Sequence, residues 1–334
     1  MPPEVPDPEE ARPIFVVGAP RSGTSMLRFM LDRHPAIGLC DETHFFYYVH
    51  SRRRHFGDLS DPDARRRLVE RYLEMKNIRV LGLDLDRLAE TLVESGRSYR
   101  LFFLVLLARY ARENGKRRLG EKSPDHALHA ETLCDWYPRC RIVHLVRDPR
   151  AVVGSLRRMP WARDSVMANA RWWRRNNEGA LRVRDRDSYL SVRYERLVSH
   201  PEEQLRRICR HVGEPYSGAM LSPDRDEDHR PWTQRARREV TRSRVDRWKD
   251  ELSGDQVALV EHVAGPLMEE LGYPRATDRP GPARVAVGRA ADALDWVRHT
   301  AATLPRVFYY WLHPTRIAAE EDWIDRWKVP DGDE

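Results

Sequence analysis

The sequence predicts an α/β fold: a central, mostly parallel sheet in a three-layer arrangement, with a helical insertion and a helical, aromatic C-terminal extension. Three observations predict it. Short apolar, β-branched runs recur at 14–18, 141–146 and 189–194, each is followed by a segment of helical period, and such alternation implies right-handed crossovers between parallel strands. At 334 residues the chain is long enough for one large domain with insertions or two smaller ones.

Residues 1–12 are acidic and Pro-rich and are expected to be a disordered tail. They hold no apolar signal core, and no run in the chain approaches the ~18 apolar residues of a membrane-spanning helix, so a cytoplasmic protein is the expectation. Pro13-Ile14-Phe15-Val16-Val17-Gly18 reads as a strand buried on both faces. After Ala19 to Ser25 the period changes: Met26, Phe29, Met30 and Arg33 follow helical spacing until His34-Pro35 stops them. Arg141 to Val146 leads through Arg147-Asp148-Pro149 into a helical stretch, Pro149 suiting a first-turn position. Tyr189 to Tyr194 is the third strand candidate, followed by a helix from Ser199-His200-Pro201 to about Val212.

About a hundred residues separate the first two strand candidates, too many for one crossover. The stretch at about 45–115 is expected to be a helical insertion shaping an acceptor pocket. The main α/β domain then covers 13–274. A C-terminal extension, 275–334, opens with a linker-like stretch and continues as an amphipathic helix through Val287, Ala290, Leu294, Val297 and Ala301. Val307 to Leu312 sits between Pro305 and Pro314, and Trp323 and Trp327 fall on one helical face. Packing on the parent domain, a homodimer contact and a membrane-surface contact are the three readings of this extension.

Gly18-x-x-x-x-Gly23 falls between strand and helix, so backbone N–H groups and a helix N-terminus face one anion, which makes the fold P-loop-like. The nucleoside-triphosphate version continues with Lys, but here Thr24 stands in its place. Arg21 inside the loop supplies a planar forked cation, suited to an oxyanion with several equivalent oxygens. Arg147 at the next strand end and Ser155, about two turns into the following helix, suggest a second anion subsite. Two phosphate-sized subsites at neighbouring strand ends suggest a nucleotide with phosphates on both sides of its ribose.

On these residues, Pro13 to Leu31 (PIFVVGAPRSGTSMLRFML) with Arg147 to Ser155 (RDPRAVVGS), the chain resembles the sulfotransferases that use 3′-phosphoadenosine 5′-phosphosulfate. From Gly18 through Asp41-Glu42-Thr43 it is most similar to tyrosylprotein sulfotransferases and related bacterial enzymes. The resemblance extends to Glu121-Lys122-Ser123-Pro124, Tyr194-Glu195, Ser243 to Lys249 and Leu271-Gly272-Tyr273, over roughly 13–274. It implies that Arg21, Ser22, Gly23, Thr24 and Ser25 hold the 5′-phosphosulfate and that Arg147 with Ser155 holds the 3′-phosphate. Adenosine 3′,5′-bisphosphate is then the product, and no metal is required. The membrane anchor of the tyrosylprotein enzymes has no counterpart among the apolar runs, so their protein substrate is not carried over.

Sulfonate transfer needs an oxygen nucleophile relieved of its proton and charge stabilisation at the transferred group and the leaving oxygen. The resemblance places the catalytic carboxylate at Glu42, and burial beside Phe45 and Phe46 would suit a base by raising its pKa. Asp41, His44, His126 and His129 are the competitors. Arg21 and Lys122 are the candidate charge stabilisers; only five Lys accompany 53 Arg, although a surface salt bridge between Lys122 and Glu121 is the alternative. Tyr194 is a candidate to stack near the adenine, and Arg242 and Ser243, within Thr241 to Arg244, to close over the 3′-phosphate. Arg52-Arg53-Arg54-His55 reads as a solvated charge run or an attractor of an anionic acceptor.

The function expected is sulfonate transfer to a hydroxyl of a carbohydrate, glycolipid, phenol or small metabolite. The rivals are a P-loop kinase or other nucleotide-phosphate transferase, which would need a Lys beside the loop, and a non-catalytic nucleotide-binding protein. The net charge of +6 is modest and its residues are interspersed, so the expected partner is a small molecule or glycan and no nucleic acid. Cys40, Cys134, Cys140 and Cys209 form no CxxC pair and are expected to be reduced packing residues.

Overall fold

The computed structural model describes residues 4–159, 161–222 and 244–313. Five strands form one sheet: β1 (Ile14–Gly18), β2 (Ile37–Cys40), β3 (Arg118–Lys122), β4 (Arg141–Val146) and β5 (Tyr189–Arg193). Their order is β2-β3-β1-β4-β5 and every pairing is parallel. β1, β4 and β5 occupy the three apolar runs. β2 and β3 flank the 45–115 stretch and are not among the three strand candidates: β2 has only four residues, and β3 ends on Glu121 and Lys122, charges whose burial is made tolerable by partners far away in sequence.

Among the described residues the helices of eight or more residues are α1 (Thr24–Asp32), α2 (Pro62–Leu73), α3 (Leu85–Ser95), α4 (Tyr99–Glu113), α5 (Pro149–Leu156), α6 (Val166–Leu181), α7 (Pro201–Val212), α8 (Gly254–Glu270) and α9 (Pro282–Leu312). Sequence-local signals open several of them. Asp61 caps the N–H groups of Asp63 and Ala64 with Pro62 in the first turn of α2, and Ser253 with Gln256 forms a capping box on α8. The side chains of β1 alternate between the two faces of the sheet. Ile14 and Val16 pack with Leu27, Met30 and Leu31 of α1 and Leu205, Ile208 and Val212 of α7. Phe15 and Val17 face the insertion, where Phe15 stacks on Phe103 at 6.1 Å between centroids. Burying both faces of β1 is what makes its sequence continuously apolar.

The insertion, from the short helix Phe45–Tyr48 to the end of α4, brings Phe45, Phe46, Tyr72, Phe102 and Phe103 into an aromatic core shared with Phe15 and Val17 of the sheet. The N-terminal segment differs from the disordered tail that its composition suggests. From residue 4 it lies along the body, because its acids meet arginines of the domain: Glu4 pairs with Arg109, Glu9 with Arg100 and Glu10 with Arg139. At the other end, α9 continues to Leu312, past Pro305, a candidate boundary in the sequence. Its first half docks on the domain: Arg163 reaches Asp295 at 2.7 Å, Ser165 donates to Asp292 at 2.6 Å, and Gly288 passes Met167 and Leu259. Trp323 and Trp327 lie outside the described residues.

One glycine fixes where the sheet hands over to the loop. Gly18 has φ 153°, and a Cβ there would stand 2.4 Å from the backbone oxygen of Leu145 in β4. A carbonyl within a central strand cannot step aside. Gly18→Ala is expected to lower stability by at least about 2 kcal/mol, a fall of roughly 3 °C or more in Tm by thermal unfolding.

Candidate active site

The loop after β1 turns sharply enough to expose the start of α1. Arg21 adopts φ 70° and Gly23 φ 94°, both left-handed, and for the non-glycine Arg21 that is a costly conformation of the kind concentrated at ligand sites. Gly23 is the N-cap of α1 and no side chain caps it. The first bond of the ladder runs from the Leu27 N–H to the Gly23 oxygen at 3.1 Å, so the N–H groups of Gly23, Thr24, Ser25 and Met26 stand ahead of it. Ser22 is fully buried and its Oγ has no partner. This end of α1 carries the positive pole of the helix dipole, and its donors face outward from the carboxyl edge of the sheet.

Around this helix end the arginines gather. Arg21 Nε donates to Ser155 Oγ at 3.1 Å, and Arg147 Nη1 donates to the Arg21 carbonyl at 2.9 Å. The residues assigned to two subsites are thus in direct contact. Arg147 is buried; its Nη2 donates to the Arg244 carbonyl at 2.8 Å, its plane lies 4.3 Å over Tyr194, and its Nε has no partner. Among the described residues neither Arg21 nor Arg147 has a carboxylate ion-pair partner. Burial, then the like charges of Arg147, Arg158 and Arg244, pull the Arg21 guanidinium down to about 10, while Glu42 opposes them. Arg21 and Arg147, two cations close together and largely withdrawn from water without a carboxylate partner among the described residues, suit an anion.

Glu42 follows β2 and meets Lys122 at the end of β3, because adjacent parallel strands bring their carboxyl ends together. Lys122 Nζ donates to Glu42 Oε1 and pairs with Asp41 Oδ1 at 2.7 Å. Burial favours the neutral amine, yet the charges of Asp41 and Glu42 and their hydrogen bonds raise the Lys122 pKa. Lys122 does not bridge to Glu121. Successive strand residues face opposite sides, and Glu121 instead accepts from Thr43 N at 2.7 Å, Thr43 Oγ1 at 2.6 Å and Ser123 Oγ at 2.7 Å. His44 Nε2 lies 3.5 Å from Glu42 Oε2, and Asn77 donates to the Glu42 carbonyl at 3.1 Å. Phe45 and Phe46 turn away into the aromatic core, so Lys122 and His44 flank Glu42 where the phenyl rings were expected.

Of the competing bases, His126 is buried against Glu121 at 2.9 Å, and His129 stacks on Phe46 at 4.4 Å with burial lowering its pKa to about 4. His44 alone of the three stands beside Glu42. Tyr194 does not offer an open stacking face: Arg147 covers one side, and a Cβ on Gly23 would come within 2.5 Å of the ring. It is a support for Arg147 and the loop. Arg242 and Ser243 lie outside the described residues, although the neighbouring Arg244 carbonyl reaches the site through Arg147. In the Arg52 to His55 run, Arg53, Arg54 and His55 are exposed.

Sequence reasoning missed what positions these groups. Glu195 accepts from Asp148 N at 3.1 Å and from Tyr273 Oη at 2.8 Å, tying together two segments noted only as similar. Trp173 Nε1 donates to the Arg147 carbonyl at 2.9 Å. Asp125 accepts from Trp172 Nε1 at 3.0 Å; burial, with the Glu42 charge adding, raises its pKa against the opposing pull of that bond. A raised native pKa means that wild-type stability declines as pH rises from the unfolded value through the native one. Asp125→Asn keeps an acceptor for Trp172, so its Tm is expected to match or exceed wild type by a few degrees at pH 8, with the advantage vanishing near pH 3.

Comparison with known proteins agrees with this geometry. The profile of the Sulfotransferase family matches residues 13–218, from the start of β1 to beyond α7. The chain is 24% identical over 327 residues to the nodulation protein NoeE of Sinorhizobium fredii, covering 89% of this chain and 72% of that protein. It is 24% identical to a protein-tyrosine sulfotransferase of Drosophila melanogaster, covering 78% of this chain but only 51% of the relative. It is 26% identical to the omega-hydroxy-beta-dihydromenaquinone-9 sulfotransferase Stf3 of Mycobacterium tuberculosis, covering 62% of this chain and 53% of that one; the chain thus spans about half the length of these two. Its fold is similar to the sulfotransferase domain of the curacin biosynthetic pathway (TM-score 0.56, 19% identity, 81% of this chain and 100% of that one). It is also similar to that of the Synechococcus PCC 7002 olefin synthase (TM-score 0.53, 24% identity, 78% and 98%). With a family match over more than half its length, lying on the strands and loops that build the anion site, the chain belongs to the Sulfotransferase family.

Proposed function

We propose that this protein transfers the sulfonate group of 3′-phosphoadenosine 5′-phosphosulfate to a hydroxyl of a small-molecule or glycan acceptor, with Glu42 as general base. The observation that carries the reading is the pair of guanidiniums, Arg21 and Arg147, which have no carboxylate partner among the described residues and stand beside the start of α1, where no side chain caps the helix. The residues present fit such a donor. Ser22 Oγ and Arg147 Nε are buried and unpartnered, the first turn of α1 offers backbone donors, and Arg147 keeps N–H groups beyond the two bound to carbonyls. Gly23, Thr24, Ser25 and Arg21 would hold the phosphosulfate end, and Arg147 with Ser155 the 3′-phosphate.

When bound, the donor supplies an activated sulfonate on a phosphate leaving group. The protein's part is orientation, proton transfer and charge stabilisation. Glu42 Oε1 is engaged by Lys122, which leaves Oε2, on the His44 side, to take the proton of an acceptor hydroxyl. As Glu42 is neutralised its hold on Lys122 weakens, so that cation becomes available to the negative charge developing next to it. The Glu42 charge opposes the lowering of the Arg21 pKa, which supports a reading in which base and anion site stand near one another.

Isothermal calorimetry with adenosine 3′,5′-bisphosphate and with ATP tests this reading. The bisphosphate is expected to bind at least tenfold more tightly, because Thr24 stands where a triphosphate site needs Lys. Tighter binding of ATP would contradict it. Arg21→Ala is expected to weaken the bisphosphate by about tenfold or more, the loss of a charge-assisted contact.

A further inference from the structure

A second reactive arrangement lies at the opposite end of the sheet. Cys134 is near the end of the short helix Ala130–Trp136 and Cys140 directly precedes β4. The Cys140 thiol donates to Cys134 Sγ with the sulfurs 3.8 Å apart, and Ser188 Oγ lies 3.5 Å from Cys134 Sγ. All four cysteines are free and buried, but Cys134 also lines a cleft of about 530 Å³ with Arg12, Arg139, Arg141, Arg186 and Ser188.

We propose that Cys134 and Cys140 are a redox-reversible thiol pair, in which Cys134 reacts with a low-molecular-mass disulfide entering by this cleft and Cys140 resolves the product. The Cys134 thiolate attacks one sulfur of the disulfide, forming a mixed disulfide and releasing the other half as a thiolate. Cys140 gives its proton to that thiolate and attacks Cys134 Sγ, forming the Cys134–Cys140 bond and expelling the second half. Two protein thiols are oxidised and one disulfide is reduced to two thiols. The sulfurs close from 3.8 Å to a bond of ~2.05 Å, a short approach for side chains already facing each other.

The chemistry of the four thiols favours this pair and this direction. The hydrogen bond from Cys140, against the effect of burial and with help from Ser188 and Arg186, lowers the Cys134 pKa to about 7. That is near the optimum for an attacking thiol. Donating that bond and being buried raise the Cys140 pKa, as suits a group that reacts second. Burial raises Cys40 well above the ordinary value and takes Cys209 to about 11.

The test is to incubate the whole protein with oxidised glutathione, quench with iodoacetamide, digest with trypsin without reduction, and map the peptides. The expected product joins Ser123–Arg139 to Cys140–Arg141 through one disulfide, and dithiothreitol reverses it. Cys140→Ser is expected to hold glutathione on Cys134, and Cys134→Ser to leave Cys140 at least tenfold less modified than Cys134 is in wild type. Absence of the cross-link, or faster modification of Cys40 or Cys209, would overturn the proposal. The wild-type map decides the matter even if a variant fails to fold.

Discussion

Glu42→Gln is expected to reduce turnover by about 10²–10⁴-fold while leaving the affinity for adenosine 3′,5′-bisphosphate within about twofold of wild type. The amide keeps the size and one acceptor oxygen of the carboxylate, so Lys122 retains a partner at Glu42 and its ion pair with Asp41. What it loses is the ability to take a proton. Single-turnover assays with labelled donor, run beside calorimetry, separate the two effects. Equal loss of binding and turnover would mean that Glu42 supports the anion site through Lys122 and Arg21 and is not the base. Unchanged turnover would pass the role to His44, whose Nε2 is 3.5 Å from the same carboxylate.

Arg147→Ala is expected to weaken binding of the bisphosphate by about 10–100-fold, the range for losing a hydrogen-bonded charge from a partly buried site. The effect has two parts. Arg147 offers its own unpartnered Nε, and through Nη1 and Nη2 it also ties the Arg21 carbonyl to that of Arg244. Removing it loosens the left-handed turn that presents Arg21. Arg147→Lys keeps the charge but not the fork, so it is expected to recover less than half of the lost binding free energy. Complete recovery by Lys would show that net charge alone matters there.

The outline of both fold and site was legible in the chain because the informative residues are close in sequence. Phe15 to Gly18, the glycine-bounded loop and the helical spacing after it state strand, turn and helix within twenty residues, and Arg147 to Ser155 repeats the signal. What was not legible depends on long-range pairing. β3 carries Glu121 and Lys122, which local pattern reads as surface charge; only the return of Thr43 and Glu42, from 78 and 80 residues away, makes them core. The left-handed conformation of Arg21 has no sequence marker, since arginine disfavours it. The aromatic ring of Tyr194 is visible in the sequence, but its use as a platform for Arg147 follows from β5 lying next to β4.

The proposed function requires the turns at Arg21 and Arg147 to hold opposite ends of one doubly charged adenosine compound. The most direct measurement is a crystal structure of the protein soaked with adenosine 3′,5′-bisphosphate. The 5′-phosphate is expected on the first-turn amides of α1 beside Arg21, and the 3′-phosphate within hydrogen-bonding distance of both Arg147 and Ser155. A bisphosphate seated elsewhere, or one that reaches a single arginine while the other faces solvent, would contradict it.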